Sequence, residues 1–125
     1  MAFKRKEGFR FTFGQAIEAK YIVLINGKPE NLEMTKQPCE ILDVSPRGMK
    51  MFAFHEIGEN SNERVQLEIH FVLDEVLIKA VGEIMWKKQY GKGFQYGLIF
   101  EDQPAIEELI VSELKIRRRK EVGLR

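Results

Sequence analysis

The chain has a single cysteine, Cys39, in 125 residues, so no disulfide can close within it and no thiol cluster offers a zinc site. Such usage suits a reducing compartment, and the cytoplasm is the expected location. Histidine is nearly as scarce. His55 and His70 fall on different expected strands without spaced carboxylates beside them, so neither is expected to hold a metal. Cys39 has no activating partner in the sequence and reads as a small core residue. With no nucleophile paired to a base, the chain is not expected to be an enzyme, and no cofactor is implied.

No apolar run approaches the roughly 20 residues that cross a bilayer. Residues 1–10 are charged and aromatic, without the apolar stretch of a signal peptide. Neither secretion nor membrane insertion is expected. A net charge of +1 exerts no overall pull toward nucleic acid or anionic lipid, so nucleic acid is not an expected partner. Repeats, low-complexity stretches and dividing linkers are also missing. What remains is a composition, 44% apolar and 31% charged, suited to one hydrophobic core. One domain over residues 1–125 is expected.

The dominant positive pattern is period-two alternation. Val65, Leu67, Ile69, Phe71 and Leu73 alternate with Gln66, Glu68 and His70, which describes a half-buried strand. Similar runs occupy Glu18 to Ile25, Gln37 to Val44, Met49 to His55, Val76 to Trp86 and Phe94 to Phe100. Asn26-Gly27 is a hairpin signal because both residues tolerate positive φ, and Gly58 to Asn62 and Tyr90 to Gly93 read as connections. After Phe100 the period changes. Ile106, Leu109, Ile110 and Leu114 recur at helical spacing behind Asp102 and Pro104. Many short strands and one terminal helix describe an all-β fold, a small antiparallel barrel or sandwich.

Positive charge gathers at both ends. Lys115 and Arg117 to Lys120 lie in the late turns of the expected helix, with Glu107 and Glu108 in its early turns, so both groups oppose the helix macrodipole. The first cluster, Lys4-Arg5-Lys6-Glu7-Gly8-Phe9-Arg10, is read together with Asp43-Val44-Ser45-Pro46-Arg47-Gly48. By itself the second segment makes a sound type I turn, with proline at the second position and glycine at the fourth.

Together the two segments resemble the PilZ domain family. Its signature is a pair of arginines four apart on an extended arm, often preceded by another arginine, then Asp or Asn, any residue, Ser, two residues and Gly. Asp43, Ser45 and Gly48 match the second half in full. In the first half Arg10 matches, Lys6 stands where the other arginine would be, and Arg5 fits the preceding one. Tyr96-Gly97-Leu98-Ile99-Phe100 is similar to the family's closing strand.

The resemblance implies a six-stranded antiparallel β-barrel with a C-terminal α-helix: residues 1–10 as a flexible ligand-binding arm, 11–100 as the barrel and 102–120 as the helix. It also implies a receptor for the bacterial second messenger cyclic di-GMP that acts on an unknown downstream protein, with motility, exopolysaccharide or adhesion as outputs. The implied ligand-binding residues are Arg5, Lys6, Arg10, Asp43, Ser45, Arg47 and Gly48. The chemistry suits them, because a guanidinium donates two parallel hydrogen bonds to guanine O6 and N7 and also neutralises phosphate. The alternative is an adaptor with the same barrel that has lost the messenger. Trp86, Tyr90 and Phe94 are expected to pack in the barrel rather than to stack on bases.

Overall fold

A computed structural model describes residues 10–30, 36–58 and 62–123. They form strands β1 (Phe11–Ile25), β2 (Lys28–Pro29), β3 (Gln37–Ser45), β4 (Gly48–Ala53), β5 (Val65–Val72), β6 (Leu77–Tyr90) and β7 (Gly93–Phe100), then helix α1 (Pro104–Gly123). Two strands outrun their sequence signal for identifiable reasons. β1 starts at Phe11, but its register against β3 slips between Thr12 and Ile17, which breaks the alternation that would reveal it. β6 continues to Tyr90 with every residue from Met85 onward exposed, so no inside-outside contrast marks its last turn of the pleat.

The sheet order is β2-β1-β3-β4-β7-β6-β5, and β5 pairs back onto β1. All pairings are antiparallel. The result is a closed six-stranded antiparallel barrel with β2 as a short spur, as the resemblance implied. Closure relies on two long strands that change partners. β1 pairs β3 through Tyr21 and β5 from Lys20; β6 pairs β5 through Glu83 and β7 from Gly82. Asn26 and Gly27 turn β1 into β2 with φ of 52° and 83°, the positive values that a two-residue hairpin demands.

The core is filled by alternate residues of each strand. Ile41, Met51, Leu67, Ile69, Ile78 and Tyr96 are completely buried, and Ile110 of α1 joins them. The Tyr96 hydroxyl is not left stranded, since it accepts from the Ile57 N–H at 2.7 Å. Cys39 is buried as expected, and burial, with the Glu40 carboxylate as a lesser cause, pushes its thiol up to about 12.

Helix α1 is fastened to the β5–β6 connection by polar contacts. The buried Glu113 carboxylate accepts the N–H groups of Asp74, Glu75 and Val76 at 3.2, 3.0 and 2.9 Å. Arg117 donates to the Leu73 carbonyl at 2.9 Å and lies 5.2 Å from the centroid of the Phe13 ring. Lys120 is 2.9 Å from Asp74, and its pKa is raised by that hydrogen bond. The arginine-rich segment therefore has a job beyond opposing the macrodipole: two of its cations hold the helix in place.

Two outcomes follow from this packing. A thiol held near 12 presents almost no thiolate at pH 8, so Ellman's reagent should leave Cys39 unmodified in the native chain and titrate it fully in urea. Glu113→Ala strips three N–H groups of their acceptor and should cost about 2 kcal/mol in urea unfolding. Glu113→Gln, which keeps a neutral acceptor, should cost about half of that.

Candidate ligand-binding groove

Cys39 and Ile41 point into the core, and an uninterrupted β3 would send Asp43 and Ser45 there too. The register against β4 instead slips between Ile41 and Asp43. Leu42 is the extra residue of a bulge, and Val44 takes the next core position, fully buried. Asp43 and Ser45 are thereby turned to the outer face. Pro46 and Arg47 then form the two-residue turn, with Gly48 paired to Ser45. Among described non-glycine residues only Asn26 has positive φ, so this turn is of the unprimed kind expected for Ser-Pro-Arg-Gly. Ser45 Oγ donates to the Gly48 carbonyl at 3.3 Å, and the Arg47 carbonyl accepts from Phe100 N–H at 2.8 Å. A Cβ on Gly48 would collide with the Leu98 carbonyl of β7, so its first requirement is strand packing.

Pairing of Phe11 with Val44 and Thr12 with Asp43 brings the residue before β1 alongside the turn. Arg10 donates from Nη1 to Asp43 Oδ1 at 2.5 Å, and Lys50 Nζ lies 3.9 Å from the other oxygen. The Arg10 side chain is 53% exposed and that of Asp43 only 8%. The carboxylate is thus a fixed post against which a solvent-facing guanidinium is oriented. Arg10, Asp43, Ser45, Arg47 and Gly48 all border one groove. Arg5 and Lys6 lie outside the described residues.

Lys50 and Trp86 are among the lining residues that sequence reasoning did not select. Lys50 follows Gly48 by two, so period-two geometry places it on the same face, a signal that was available. Trp86 is different. Ile78 and Ala80 face the core, and the same phase would carry Trp86 inward, but the register with β7 slips between Ile84 and Trp86. Met85 is the extra residue, and Trp86 emerges on the outer face opposite Gly97, where any Cβ would collide with the indole. The expected packing role holds for Phe94, which lies against the core. It fails for Trp86 and Tyr90, exposed by 43% and 56%. Asp43, Lys50, Gly97 and Trp86 form one cross-strand row.

The groove is open, encloses about 810 Å³ and has Met85, Trp86 and Ile99 along its apolar side. Arg10, Arg47 and Lys50 outnumber the one carboxylate, Asp43, leaving two net positive charges. An aromatic face beside convergent cations is suited to a planar, anionic ligand. The family model for the PilZ domain matches residues 4–115.

The chain belongs to the PilZ family. Its fold is shared with the PilZ domain of YcgR from Escherichia coli, solved with c-di-GMP, at a TM-score of 0.55 and 13% sequence identity over 92% of this chain and 95% of that one. No curated protein sequence matches this PilZ chain. Its helix α1 is not long and apolar enough to cross a membrane.

Trp86 is the only tryptophan in the chain, so its emission reports on the groove alone. Gly97→Val should lift the indole from the sheet, red-shift its emission, increase quenching by acrylamide, and cost about 1 to 3 kcal/mol as an overpacked site.

Proposed function

We propose that this PilZ domain is a cytoplasmic receptor for cyclic di-GMP that recognises the messenger without catalysis and regulates a partner protein. The observation that carries the reading is the contact of Arg10 with Asp43 at the edge of a groove bearing two net positive charges. The ligand has two phosphates and two guanines. The complex of the YcgR PilZ domain with c-di-GMP supports the choice of ligand.

Each residue has a role matched to its chemistry. Arg10 has five N–H donors and gives one to Asp43, which leaves enough to grip guanine O6 and N7 or a phosphate. Asp43 holds that guanidinium and accepts from guanine N–H groups. Arg47 and Lys50 neutralise phosphate charge, Ser45 bonds a base or phosphate, and Gly48 lets the ligand approach the backbone. Trp86 offers an indole for stacking. Arg5 and Lys6 close over the ligand from the arm.

Ordering that arm opposes binding through lost entropy, yet it creates the two states that a sensor requires. Motility, exopolysaccharide and adhesion are the proposed outputs. The rival reading, an adaptor without messenger binding, draws on Lys6: an ammonium cannot reproduce the arginine fork, a loss of about 1 to 3 kcal/mol at a bidentate site.

Calorimetry with cyclic di-GMP separates the two. The receptor reading expects saturable heat from the wild type, loss of binding in Arg10→Ala, roughly tenfold tighter binding in Lys6→Arg, and a change in Trp86 emission that tracks the heat. Absence of heat and of any fluorescence change up to millimolar ligand would establish the adaptor.

A further inference from the structure

The geometry points to a second binding surface beyond the groove: a docking site for a partner-protein segment that carries an apolar anchor with acidic residues on one side. It lies on the outer face of β4, β7 and the far half of β6, and it stands whether or not the groove takes a dinucleotide.

Past the row that holds Trp86, the outward positions are Phe52 on β4, Gln95 and Gly93 on β7, and Lys88 and Tyr90 on β6. Phe52 lies across Gly93, whose missing Cβ makes room for the ring. Phe54, just beyond β4, and Tyr90 stand nearly perpendicular to it, with centroids 5.0 and 6.5 Å from its own. The three rings form a socket with a floor and two walls. Phe54 is 66% and Tyr90 56% exposed, a large uncovered apolar area of the kind that anchors an interface. The surface continues into an open cleft of about 580 Å³ walled by Pro38, Val72 and Leu77, which gives an anchoring side chain depth as well as area.

Charge selects the kind of partner. Lys88 and Lys92, both exposed, stand beside Tyr90, and among the described residues neither has a carboxylate partner. None of the five outward positions is acidic. On the other side Glu40 of β3 pairs directly with Phe52, and the adjoining cleft sets Glu18, Lys20 and Lys36 beside it, two charges of each sign. The face is therefore cationic at its β6 side and charge-balanced at its β3 side. A polyanion such as RNA would have to run its phosphates past Glu40 and Glu18; a peptide with Asp or Glu at one end only sets them against Lys88 and Lys92 and leaves the balanced side to its apolar anchor.

The test is selection of a random dodecapeptide phage library on the immobilised full chain, followed by titration of the synthetic consensus peptide. The expected peptides join a leucine or aromatic residue to acidic neighbours. Phe54→Ser and Lys88→Glu should each weaken the consensus by about tenfold or more, and replacing its acids by lysine should restore binding to Lys88→Glu. Both positions are outside the groove, so affinity for cyclic di-GMP should not change in either variant. The proposal is overturned if the peptides show no such pattern or ignore both substitutions. It is equally overturned if oligo-dT binds in a Lys88-dependent way, or if sedimentation reveals a dimer that Phe54→Ser dissolves.

Discussion

An extended strand sends every second side chain to the same face, and this geometric rule is what the groove had to escape. Cys39 and Ile41 commit the odd positions of β3 to the core, where Asp43 would sit as a carboxylate without water. One additional residue, Leu42, reverses the phase. The cost of an unpaired ladder position in β3 is small beside that of a buried unpaired charge. β6 repeats the device with Met85, which releases Trp86. Both bulges flank the β4–β7 pair, so the two released side chains, Asp43 and Trp86, fall in one row.

Closure of the barrel explains how a residue before the first strand reaches a turn more than thirty positions later. β1 is long enough to serve β3 with its first part and β5 with its last. Its start consequently lies at the end of β3, where Asp43 receives Arg10. The same length leaves the helix to be fastened elsewhere, to the β5–β6 connection through Glu113, Arg117 and Lys120.

The fold was legible where apolar and polar residues alternate cleanly. Along Val65 to Val72, flanked by β1 and β6, Leu67, Ile69 and Phe71 alternate with Gln66, Glu68 and His70, and the pattern appears directly in the residues even though Gln66 and His70 are also buried. Phe11 to Ile17 was obscured by the slipped register, and Lys87 to Gln89 by exposure on both faces. Arg10, Asp43, Ser45 and Gly48 were legible through their spacing, which carries a motif. Lys50 followed from simple parity with Gly48. Trp86 did not, because a bulge leaves no residue type behind it, and counting by twos from Ile78 gives the wrong face. The second role of Arg117 and Lys120 was also hidden, since their partners lie on a turn more than forty residues away.

Gly97 and Trp86 occupy one space: the indole fills the volume that any side chain on Gly97 would need. The constraint runs one way: a smaller residue in place of Trp86 asks nothing of β7, whereas Gly97 cannot drift while the ring stays. A relative that gains even a methyl group at the glycine must surrender a flat-lying ring at the tryptophan, and lineages with a larger residue on β7 will have had to build the apolar side of the groove some other way.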